Sequence, residues 1–80
     1  MNKHELLRRK LLKRYRAMLA ECEQLTRDIQ SWNDNRTEHP PFDLGRELVM
    51  ADGLRKTIAA LERDEPIDPA WLPQTPVEDD

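Results

Sequence analysis

Residues 3–33 of this chain contain neither glycine nor proline, and an apolar side chain recurs along them every third or fourth position. From Leu11 the series runs Leu11, Tyr15, Met18, Cys22, Leu25, Ile29 and Trp32, in alternating steps of four and three. That spacing is a heptad: Tyr15, Cys22 and Ile29 share one core position, and Leu11, Met18, Leu25 and Trp32 share the other. Leu12 and Leu19 widen the stripe on one flank, and Leu7 lies near its start. Asn2 followed three residues later by Glu5 resembles a capping box. The pattern predicts one long helix over about residues 3–33.

A second helix is expected over about residues 43–64, after a connection at about 34–42 that holds Asn33-Asp34-Asn35 at its entry and Pro40-Pro41 near its exit. Asp43 stands ready as its cap or first-turn acid. Leu44, Leu48, Ala51, Leu54, Ile58 and Leu61 form its stripe, with Val49 alongside, and Pro66 stops it. Gly53 interrupts this helix at a cost of about 1 kcal/mol against alanine, which points to a close approach of two backbones. So short a connection sets the helices antiparallel, giving an all-α helical hairpin with a long basic N-terminal helix and a shorter second one. Trp32 and Phe42 would pack together at its tip. Paired outward from the loop, the shorter helix reaches back only to Met18 or Tyr15, so the basic first turns project. A lone hairpin leaves one apolar face bare, so a second copy, the tail or another protein must cover it. Residues 65–80 form a Pro-rich acidic tail, in part disordered, in which Asp68 and Pro69 can start one helical turn.

Charge divides by position. Residues 3–16 hold Lys3, Arg8, Arg9, Lys10, Lys13, Arg14 and Arg16 against Glu5, a balance of +6 within a net −3. The remainder carries 6 basic and 15 acidic residues, or −9. Such separation concerns partners or self-docking more than fold. One cysteine rules out an internal disulfide framework and a cysteine-based zinc finger. No apolar run is long enough to span a bilayer and no signal-peptide pattern opens the chain, so the expected compartment is the cytoplasm.

Catalytic groupings are not legible. His4 and Glu5 are neighbours pointing to different sides of a helix, His39 lies in the loop, and Cys22 sits on the core stripe as a small hydrophobe. No nucleophile set, phosphate loop or metal spacing is present, so no enzyme, cofactor or metal is expected. The candidate partner-binding residues are Leu7, Arg8, Arg9, Leu11, Leu12, Lys13 and Arg14 on the overhang, with Trp71 and Leu72 from the tail. The Trp71-Leu72 pair has two readings: a motif for a partner, or a fold-back over Leu7 to Leu12 that lays acid beside base. The expected function is a small non-enzymatic interaction protein that regulates or inhibits a larger protein by helix packing and self-associates as a dimer. The alternative is a nucleic-acid-binding regulator using the basic helix, in which acidic repulsion opposes binding. Binding at a membrane surface is not expected. The size and pattern resemble many small regulators and inhibitors, including accessory proteins of phages and plasmids; this is a likeness of class that transfers no residues.

Overall fold

The computed structural model describes residues 2–35 and 42–73. Two helices, α1 (Lys3–Asn35) and α2 (Gly45–Glu62), form an antiparallel hairpin, followed by a single 3₁₀ turn over Pro69–Trp71. The fold is all-α. The disorder expected beyond Pro73 and the Pro40-Pro41 connection fall outside the described residues.

The helix ends explain themselves locally. Asn2 caps α1, its side-chain oxygen accepting the Glu5 N–H at 2.8 Å. The reciprocal half of a capping box is absent, because the Glu5 carboxylate is taken by Arg8 at 2.6 Å and Arg9 at 3.4 Å. At the start of α2 the Asp43 carboxylate accepts the Gly45 N–H at 2.9 Å. The C-terminus of α2 closes in a Schellman arrangement: Glu65 N–H donates to Ala60 O at 2.8 Å and Asp64 N–H to Leu61 O at 3.2 Å. Asp64 takes the left-handed backbone, φ 56°, at the position where glycine is usual.

The core has two clusters along the hairpin. Leu12, Ile58 and Leu61 are buried with Leu11, Tyr15, Leu19 and Ile67 around them. Cys22, Ala51 and Leu54 are buried beside Tyr15, Met18, Leu19 and Met50. Tyr15 and Leu19 join the two. The predicted heptad is therefore rotated: Leu12 and Leu19, read as flank, face α2, and Leu25 and Trp32, read as core, are 51% and 58% exposed. In α2, Leu48 is likewise exposed, and Thr57, which stands outside the expected stripe, is fully buried. Its hydroxyl is satisfied by donating to Gly53 O at 2.9 Å, one turn back.

The register corrects the expected overhang. His4 meets Asp64 at 2.5 Å, Arg8 reaches Leu61 O at 3.1 Å, and Cys22 Sγ donates to Glu47 O at 3.4 Å. These pairs set α2 beside roughly residues 7–24 of α1, with Asp64 past its end meeting His4, so about the last ten residues of α1 project and the basic first turns are met by the end of α2 and the turn after it. The cause lies in the connection. Asn33 clamps Phe42 on both sides, accepting its N–H at 2.8 Å and donating to its C=O at 3.1 Å. Three non-helical residues, Phe42–Leu44, then carry the chain back along α1 before α2 begins. Trp32 and Phe42, expected to pack at the tip, are each more than half exposed.

Residues 65–73 fold back along α2. Asp68 caps the turn, accepting Ala70 N–H at 2.9 Å, and Pro69 occupies its first position. Ile67 packs on the Leu12 cluster, and the main chain of Trp71 lies on Gly53. A Cβ on Gly53 would stand 3.2 Å from the Trp71 carbonyl carbon and closer still to its oxygen. The close approach read from Gly53 is present, and its partner is the tail. Trp71 sits beside Lys56, Ala59, Ala60, Arg63 and Pro66, away from the expected perch over Leu7 to Leu12.

Candidate protein-interaction face

The basic end is largely used by the chain itself. Arg8 holds Glu5 and also donates to the Leu61 carbonyl, a second bond to the oxygen that accepts the Asp64 N–H, at the C-terminus of α2 where positive charge is favoured. Its hydrogen bonds, more than the charges of Arg8 and Arg9, hold the Glu5 carboxyl below its ordinary range. Arg16 pairs with Glu62 at 2.8 Å and Glu23 with Arg55 at 3.2 Å, stitching the seam on one side of the hairpin. These are exposed pairs and fix register more than they add stability.

Of the residues singled out from sequence, Leu12 is buried, Arg8 is committed to internal bonds, and Leu11, Trp71 and Leu72 are half-buried. Leu7, Arg9, Lys13 and Arg14 are exposed. The structure therefore scatters this set: tail and basic helix are not brought into one surface. Among the described residues, Lys3, Lys10, Lys13 and Arg14 enter no ion pair, and at 100° per residue they share about 100° of arc.

Leu6 and Leu7 are the exposed apolar side chains of the basic end, and the opposite end carries more of them. Leu25, Trp32, Phe42, Leu48 and Val49 are all more than half exposed, Val49 at 73%. On one face a groove of ≈ 390 Å³ opens between the helices, lined by Met18, Leu25, Met50 and Leu54 with Glu21 and Arg46 on opposite walls. Cys22 and Glu47 lie at its base. Burial pushes the Cys22 thiol up, and the Glu47 and Glu23 carboxylates push in the same direction against Arg55. It stays protonated and donates to Glu47 O, as part of the packing between helices and not across a symmetry axis.

This face was legible in sequence only as excess stripe. Leu25 and Trp32 stand seven and fourteen residues after Met18, on one line of α1, and that line outruns α2. What sequence missed is which end it outruns. Among the described residues no group of three or more His, Cys, Asp or Glu side chains is placed to hold a metal ion, and no helix is long and apolar enough to cross a membrane. Compared with known protein families, with curated proteins and with solved structures, the chain matches none of them.

Proposed function

We propose that this chain is a small non-enzymatic interaction protein, acting in the cytoplasm, that regulates or inhibits a protein partner by packing its open end against it. The observation that carries the reading is the set of exposed Leu25, Trp32, Phe42, Leu48 and Val49 at the end of the hairpin opposite the Asp64 turn. Single exposed apolar residues are ordinary on a surface, but five at one end, with Leu25 lining a groove, are the mark of a binding face. A photo-cross-linking residue placed at position 32, and separately at position 10, tests it in the cell that makes the protein. Protein adducts from position 32 and none from position 10 are expected. The reverse pattern overturns the reading.

A second reading is favoured by one observation, the row Lys3, Lys10, Lys13 and Arg14 that no described acid neutralises. The described part of the acidic tail is engaged elsewhere, Asp64 with His4 and Asp68 in its own turn, so it does not shield this row. It would contact phosphates, and binding would weaken steeply with salt. Nucleic-acid adducts from position 10 would identify it.

A further inference from the structure

We infer that the occupant of the open face is a second copy of this chain, related by a two-fold axis running parallel to the helices. The inference rests on the reading of this end as a protein-interaction face and names what fills it. Three observations carry it.

The groove is self-complementary in charge. Glu21 stands on its α1 wall and Arg46 on its α2 wall, and neither enters an ion pair among the described residues. The Cys22–Glu47 bond makes residues 22 and 47 level, so Glu21 and Arg46 differ in height by about 3 Å along the hairpin. A two-fold axis parallel to the helices preserves height and exchanges the walls. Each Glu21 is then set against the Arg46 of the other copy, twice per dimer, as an isologous interface requires.

The other in-plane axis is disfavoured by the same arithmetic. Perpendicular to the helices and through Leu25, it inverts height and lays α1 on its own copy. Glu21 then falls level with Ile29 of the other copy, about 1.5 Å from the level of Asp28 on the same side of α1, and two pairs of carboxylates are brought close.

The apolar surface fits the chosen arrangement. Met18 and Leu25 follow one line of α1; with height preserved, Met18 would lie over the α2 wall of the other copy at Met50 and Leu25 over the start of that helix near Leu44 and Gly45. Among the described residues Trp71 lies at the level of Gly53, and the groove lined by Met18, Leu25, Met50 and Leu54 opens beside it, so the copies meet over that half of the face. The result is a four-helix layer at the end where the hairpin lacks a core of its own.

The test is a charge swap read by light scattering on size-exclusion peaks over a dilution series. Wild type is expected as a dimer. E21R and R46E should each weaken it roughly tenfold, because two attractive pairs become repulsive. The double variant E21R/R46E should recover the dimer, and so should an equimolar mixture of the two single variants, as a heterodimer. L25D should give a monomer whose helical circular dichroism is retained. A wild-type monomer at every concentration overturns the inference, as does a dimer that E21R tightens, which would indicate the perpendicular axis, or a mixture that shows no recovery. A monomer that still gives adducts with a different protein from position 32 removes the second copy and leaves the interaction face standing. A monomer without such adducts removes both.

Discussion

At the closed end, residues 3–22 of α1 and 51–62 of α2 are stitched by Arg8, Arg16 and His4, and residues 65–73 lie over the small side of α2 at Gly53 and Ala60. At the open end, residues 25–35 and 42–50 carry apolar side chains of equal size with little to pack against. The contrast runs opposite to the reading of the sequence, in which the basic N-terminal turns look available and the uncovered part of the stripe lies beside them. The lesson is that a cation counts as a surface feature only after the carboxylates and helix carbonyls within its reach are subtracted. Four of the seven cations survive that subtraction; Arg8, Arg9 and Arg16 do not.

The sharpest way to break this comparison is a matched pair of truncations. Leu54 is fully buried in the cluster with Cys22 and Ala51, and Leu54→Ala should remove about 2–5 kcal/mol, seen as a large drop in the urea midpoint. Leu48→Ala, at the open end, should stay within about 0.5 kcal/mol in a dilute, monomeric sample. Similar losses from both would mean that the open end is packed after all.

Gly53→Ala comes next. Helix propensity alone would favour alanine by about 1 kcal/mol. The Trp71 main chain blocks the new methyl, so the tail must shift, and a net loss of about 1–3 kcal/mol is expected. With Trp32→Phe leaving Trp71 as the lone indole, its fluorescence should move toward that of exposed tryptophan in the Gly53→Ala variant. A more stable protein with unchanged fluorescence would mean that the tail does not lie on α2.

The end of α2 offers a finer probe. Asp64→Gly should exceed Asp64→Ala in stability by about 1 kcal/mol, since both lose the His4 bond and only glycine takes positive φ without strain. Equal values would deny the left-handed turn that aims the tail back along the helix.

The smallest effect is electrostatic. Hydrogen bonds from Arg8 depress the Glu5 carboxyl, so its contribution is present above its unfolded pKa and is lost as pH falls through the lower folded value. The stability difference between wild type and Glu5→Gln should therefore be widest near neutrality and shrink as pH drops below about 4.5, read as urea midpoints across pH. A difference constant with pH would mean that Glu5 is not held by Arg8.

The helices, the hairpin, the Asp68-Pro69 turn and the close approach at Gly53 were all legible because each depends on local chemistry: periodicity, a cap, a ring-fixed φ, a missing Cβ. The register was not, for two reasons. Leu11 and Leu12 are neighbours 100° apart, as are Met18 and Leu19, so the sequence admits two adjacent stripes and does not say which one α2 takes. The loop hid its step, since an asparagine clamp on a phenylalanine main chain has no sequence signature beyond a loop-edge Asn. Thr57 was missed because a hydroxyl bonded within its own helix can be buried, which residue type alone conceals. The interaction face inherits these errors directly: stripe excess was visible, and its location depended on register.

The tail's position on α2 also decides what a shortened chain would expose. Gly53 and Ala60 are covered by residues that follow them in the chain, so a chain cut before residue 65 bares that small-residue side of α2, while the cluster of Cys22, Ala51 and Leu54 between the helices loses nothing.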